Sequence, residues 1–218
     1  MFNITLVSTR HDALGMCNND ELYKIIKLIN PDVIFEEIPP THFDDFYVDN
    51  KRSSLETDTI CKYIKTHPIE HVPVDSEDVP PDEFFEDYEY LTQKIESLGD
   101  INGFDYRNLV DRNRSYIESD GFEYLSSIDS INRNSGINKA IEKGLKKIDE
   151  EKLYQIFKNW NEFNDMRETI MLQNIYSYSK AHNYERAIFT VGSAHRKSII
   201  EKTVVFQKKE EVKLNWIF

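Results

Sequence analysis

The apolar positions of this chain follow two rhythms. Short runs of branched and aromatic side chains at 4–7, 33–35, 69–74 and 187–191 predict buried strands. Between the first two runs, Leu22, Ile25, Ile26 and Ile29 recur at helical spacing. Asn19 or Asp20 can cap that helix, and Asn30-Pro31-Asp32 stops it. Strand–helix–strand order predicts parallel strands joined by a right-handed crossover. Residues 39–50 read as loop. A helix over about 53–65 rests on Leu55, Ile60, Tyr63 and Ile64.

From about 82 to 183 the pattern is almost wholly helical. One stripe runs through Phe84, Phe85, Tyr88, Leu91 and Ile95, a second through Ile141, Leu145 and Ile148. A third joins Leu153, Ile156, Phe157, Trp160 and Phe163 and continues to Ile175. Such stripes are read as core packing. Breaks are expected near 99–103, 120–121 and 132–136. After 187–191 a helical pattern passes through Ile199 and Ile200, and 204–206 and 212–217 read as final strands in a hairpin around 208–211. The expected class is α/β, with a central, mainly parallel sheet flanked by helices. One domain over 1–218 would carry a largely helical insertion at about 82–183, between the third strand and the strand ending at Gly192. The insertion is placed to cover the sheet edge like a lid.

The polar residues just past these strands change the picture from fold to chemistry. The first run ends in Ser8-Thr9-Arg10-His11, the second in Glu36-Glu37, the third in Asp75 and the last in Gly192-Ser193-Ala194-His195. Ligands of open α/β sheets sit outside the carboxyl ends of the strands. His11, Glu36 or Glu37, and His195 are therefore expected to share one site, with Asp75 a further member. Strand alternation sends Glu36 and Glu37 to opposite faces, so one of them belongs to the site. The histidines should face a cavity, so alanine at either is expected to cost about 1 kcal/mol or less. On the helix through 162–176, Asn164, Arg167, Met171 and Asn174 fall near one face. Composition alone pairs Arg167 at the surface with Asp165 or Glu168. His42 reads as a rim residue, and His67, His71 and His182 as structural or solvated.

Histidines, carboxylates and an arginine suit two chemistries. They can hold a divalent manganese, cobalt, zinc or iron ion that activates water. Alternatively, a histidine paired with a carboxylate is a general base by itself. The sequence contains no HExxH, CxxC, Walker A loop, GxGxxG or G-x-S-x-G elbow. Charge then narrows the partners. With 27 basic and 39 acidic residues the net charge is −12, against a nucleic-acid or anionic-membrane partner. The two cysteines, Cys17 and Cys61, read as free thiols. No run is long enough to span a bilayer. The first dozen residues lack a basic segment and a long apolar one, so no signal peptide is expected, and the expected compartment is the cytoplasm.

STRH at 8–11, PDVIFEEI at 31–38, MRETIMLQNI at 166–175 and TVGSAH at 190–195 occur in an order that resembles the TraB/Tiki/erythromycin-esterase/ChaN-like superfamily. Ser8 stands where that family usually has glycine. The resemblance implies a polar site at the strand ends built on His11, Glu37 and His195, with Arg167 on a flanking helix. It favours Glu37 over Glu36, because Glu37 precedes an apolar residue. It further implies hydrolysis of amide or ester bonds in a small-molecule or peptide substrate, metal-assisted in Tiki-like members and metal-independent in the esterases; the expected case here is metal-assisted, with His11, Glu37, His195 and Asp75 as the ligands. The rival expectation is a non-catalytic protein that uses the same pocket to hold a metal, haem or small ligand, as ChaN-like members bind haem-iron.

Overall fold

A computed structural model of the chain describes residues 2–218. The elements run β1 (Phe2–Thr9), α1 (Asn19–Ile29), β2 (Val33–Glu36), a 3-10 turn (Pro40–His42), α2 (Phe43–Tyr47), α3 (Leu55–Ile64) and β3 (Glu70–Pro73). Four long helices follow: α4 (Asp82–Glu96), α5 (Ile101–Leu125), α6 (Ile128–Ile148) and α7 (Glu151–Ala181). The chain ends with β4 (Arg186–Gly192), α8 (Arg196–Lys209) and β5 (Leu214–Ile217). The strands form one sheet in the order β3-β2-β4-β1-β5. Every pairing is parallel, with Ile4 opposite Ala187 and Phe35 opposite Phe189. The α/β class with a parallel sheet is therefore the observed architecture.

Strand alternation sorts the core into two layers. Leu6, Phe35, Phe189 and Val191 pack against Met171, Ile175 and Tyr176 of α7 and Ile199 and Phe206 of α8. Val7, Ile34 and Ile188 face the other way, against Leu22 and Ile26 of α1, Ile60 and Tyr63 of α3, and the end of α5. A third apolar cluster joins Leu91 and Ile95 of α4, Ile141 and Leu145 of α6, and Leu153 and Ile156 of α7, away from the sheet. The helical region at 82–183 is thus not purely an insertion, because the second half of α7 is a sheet-covering helix.

Local chemistry sets the element ends. Asn18, rather than Asn19 or Asp20, caps α1, its side chain accepting from the N–H groups of Asp20 and Glu21 at 3.1 Å. Ser54 and Thr57 form a reciprocal capping box on α3. The loop after β1 is pinned to α5, where Met16 N–H donates to the Glu118 carbonyl at 2.9 Å. That approach needs glycine on both sides. Gly15 (φ 55°) and Gly121 (φ 56°) are in the left-handed region, and a Cβ on Gly121 would lie 2.8 Å from the Met16 backbone.

Three expectations are corrected. Residues 39–50 are not all loop, because they contain the 3-10 turn and α2. The break near 132–136 is absent. α6 runs through it with Gly136 against Leu109 of α5, so interhelical packing overrides the weak helix formers. The residues 204–206 belong to α8. Ile199, Thr203 and Phe206 are buried at helical spacing, while Val204 and Val205 are exposed. There is consequently no hairpin, and β5 pairs with β1 in parallel after the α8 crossover.

Candidate functional site

The carboxyl ends of β1, β2 and β4 open into a cavity of about 740 Å³ whose wall includes His11, Glu36, Glu37, Asp75, Arg167 and His195. All six sequence-derived candidates reach it. Four of them, Glu37, Asp75, Arg167 and His195, form one ion network.

Glu37 follows β2 on the face that Phe35 shares with α7 and α8. The Gly192 N–H donates to its Oε2 at 2.7 Å, Arg167 Nη2 donates to Oε1 at 2.7 Å, and His195 Nε2 lies 3.3 Å from Oε1. Arg167 also donates through Nη2 to Asp75 Oδ2 at 2.6 Å and through Nε to both Asp75 oxygens, at 3.1 and 3.2 Å. The expected surface pairing of Arg167 with Asp165 or Glu168 is replaced by this buried fork. Asn164 and Asn174 share the arginine's helix face, as their spacing implies. Asn164 Oδ1 accepts from Arg167 Nη1 at 3.3 Å, and Asn174 donates to the Val74 carbonyl beside Asp75 at 2.9 Å.

His195 is held from both sides. Its Nδ1 lies 2.8 Å from Glu168 Oε1, and Glu168 in turn accepts from the Ser198 hydroxyl through Oε2 and has Lys202 Nζ at 3.8 Å. Burial pushes the imidazole pKa down, but the Glu37 charge and the Glu168 hydrogen bond outweigh it and raise the pKa to about 10. Burial alone would push the Glu37 carboxyl up. The His195 imidazolium and Arg167 reverse that and hold it well below the usual carboxylate range.

Glu36 points to the opposite face, as alternation requires. Its Oε1 lies 2.8 Å from His71 Nδ1 and its Oε2 accepts from the Tyr47 hydroxyl. Burial drives its pKa up against those two hydrogen bonds. His71 is thus a half-buried, structural partner of Glu36, while His42 lies on the cavity wall.

His11 differs from His195. Its side chain is 66% exposed, its backbone carbonyl accepts from Leu55 N–H at 2.8 Å, and its Nδ1 lies 3.4 Å from Glu56 Oε1. The Glu56 carboxylate draws its pKa up toward about 9, a pull that the surrounding solvent screens in part. Glu56 is buried, and its Oε2 has no hydrogen-bond partner. Neither Glu56 nor Glu168 was singled out from sequence as a partner of a histidine. Each sits in an ordinary helical pattern, and only the fold reveals what it touches. Ser8, in the position where the resembled family has glycine, accepts from Arg196 Nη1 at 3.2 Å.

The four residues expected to ligate a metal, His11, Glu37, His195 and Asp75, do not fit one as arranged. Both nitrogens of His195 face carboxylates, and the Arg167 guanidinium occupies the space between Glu37 and Asp75. A cation there would have to displace an existing one. No family model, curated protein or solved structure matches the chain.

Proposed function

We propose that the chain is a hydrolase of ester or amide bonds in which His11 is the general base. The observation that carries this reading is the His11–Glu56 pair. His11 lines the cavity with Nδ1 toward Glu56, which leaves Nε2 as the nitrogen without a protein partner. A carboxylate that orients an imidazole in this way fixes its tautomer for proton transfer.

Arg167 supplies the electrostatic half. Of its five donors, Nε and both Nη2 hydrogens serve Asp75 and Glu37, and one Nη1 hydrogen serves Asn164. One Nη1 N–H is left for a developing oxyanion, with the His195 imidazolium adding positive charge nearby. In the proposed reaction a water oxygen attacks the substrate carbonyl while its proton passes to His11 Nε2. The tetrahedral oxyanion then collapses, expels the alcohol or amine, and that leaving group takes the proton from His11. Water supplies the hydroxyl of the acid product, so atoms and charge balance. No metal enters these steps.

The test is turnover of a panel of esters and amides by the parent, His11→Ala and Glu56→Gln, each with and without chelator. A general base contributes about 10²–10⁴-fold, so His11→Ala should fall by that factor. Chelator should change nothing. A parent that binds panel members saturably yet turns none over would make the pocket a binding site and overturn the hydrolase reading.

A further inference from the structure

One half of the cavity wall takes no part in the chemistry above. Trp160, Phe163 and Arg167 lie at i, i+3 and i+7 on α7, so they share a face. The Arg167 guanidinium is 5.7 Å from the Phe163 ring centroid. From there an aromatic wall runs outward. Phe163 meets Phe84 edge-on at 5.1 Å, and Phe85 meets Trp160 edge-on at 6.2 Å. Tyr88 stacks on Trp160 at 3.9 Å, which fixes the indole in place. Phe85 is 45% exposed and Val79 44% exposed, yet both line the cavity, and Phe46 also lines it. Large apolar side chains left open around a polar centre mark a place where an apolar ligand group is buried.

We infer that the substrate is a compact ester or amide carrying a ring-sized apolar group within a few atoms of the scissile carbonyl, seated against Phe85, Trp160 and Phe163. This rests on the hydrolase reading, because that reading places the carbonyl at Arg167. The ring must then lie close to the carbonyl, since the aromatic wall begins at Phe163, directly beside the guanidinium. The volume, about 740 Å³, falls in the range that encloses a drug-sized molecule. An extended peptide is disfavoured. Peptides commonly bind by adding to a sheet edge, and no residue of the edge strands β3 and β5 lines the cavity.

The test uses two ketones that keep the carbonyl but have no leaving group, 4-phenylbutan-2-one and butan-2-one. The chain has two tryptophans, so Trp216→Phe leaves Trp160 as the sole indole reporter. In that background the phenyl ketone should perturb the fluorescence saturably and bind at least about tenfold more tightly than butanone, as burial of a ring predicts. Phe85→Ala should weaken the phenyl ketone by about 2- to 12-fold, the range measured for aromatic pairs, and Phe85→Leu should fall between. Phe85 is partly exposed, so neither variant threatens the fold. Equal binding of the two ketones, or a preference unchanged in Phe85→Ala, overturns the inference. Preferential binding of the phenyl ketone without hydrolysis of the matching phenyl-bearing esters upholds the ring-binding wall but refutes the hydrolase reading, and with it the ligand's role as a substrate.

Discussion

Replacing Arg167 by methionine isolates the energetics of the site from its chemistry. The substitution keeps the length and apolar character of the side chain and removes its charge. It strands two carboxylates whose side chains are only 8% (Glu37) and 3% (Asp75) exposed. Glu37 keeps the Gly192 N–H and His195, whereas Asp75 keeps only the Ser76 N–H at 2.7 Å. Breaking a buried pair by removing one partner costs about 3–5 kcal/mol, because the desolvated charge left behind has nothing to offset it. For a chain of this size each kcal/mol moves the melting temperature by about 2–4 °C, so the drop should be about 6–20 °C. Urea unfolding at pH 7 measures the same quantity, provided the slope m is unchanged. Adding Asp75→Asn removes the stranded charge and should recover part of the loss. The two substitutions should therefore be non-additive by about 0.5–3 kcal/mol. An Arg167→Met protein within about 1 kcal/mol of the parent, the range of surface ion pairs, would refute the reasoning.

The two histidines should separate in the same assay. His11→Ala should stay within about 1 kcal/mol, whereas His195→Ala, which takes one buried partner from each of Glu37 and Glu168, should cost about 3 kcal/mol, against the sequence expectation of small losses at both. Stability should also depend on pH. His195 titrates at about 10 when folded and 6.5 otherwise, so its contribution is full below pH 6.5 and lost as pH rises to about 10. Glu37, depressed from 4.5, contributes above that pH and loses its contribution as pH falls through its folded value. Melting temperature should therefore peak between about pH 4.5 and 6.5, and a maximum above pH 8 contradicts the assignment. Activity should move the opposite way, with kcat/KM rising with pH and levelling toward about 9 as His11 deprotonates; a pH profile flat from 6.5 to 9 removes His11 as the base.

The strand ends were legible because parallel strands have a simple signature. A short apolar run followed at once by a polar residue delivers that residue to the carboxyl edge, and His11, Glu37 and His195 all arrive there. Alternation gave Glu36 and Glu37 different partners, His71 and Tyr47 against Arg167 and Gly192, but both line the cavity, so the expectation that only one of them belongs to it does not hold. What sequence could not carry was pairing between elements. Glu168 follows Arg167, and composition offered the two as surface partners. On α7 they diverge, Arg167 toward Glu37 and Asp75 and Glu168 toward His195. Glu56 has the appearance of an ordinary first-turn acid, and only the contact of α3 with the loop after β1 places it beside His11. The strand expected at 204–206 failed because paired valines suit a strand and an exposed helix flank equally, and burial of Thr203 and Phe206 decides between them.

The position of the network follows from the winding of the chain. From β1 the path runs through α1 to β2 and through α3 to β3, with those helices on one face. It then returns through α7 to β4 and through α8 to β5, with the helices on the other. β4 is therefore flanked on both sides by strands whose following helices leave to the opposite face. Crevices at such reversals are where α/β sheets bind ligands. Here they receive His195 from β4, Glu37 from β2 and His11 from β1. The reversal alone would leave Glu37 and Asp75 as buried anions with one imidazole between Glu37 and Glu168. Arg167 offsets them, and its position depends on α7 being long. One end of α7 packs in the helical cluster through Leu153 and Ile156, and the other covers the sheet through Met171 and Ile175. Arg167 lies between those two anchors. The helical region does more than cover the sheet edge, because it holds the cation that the strand ends require.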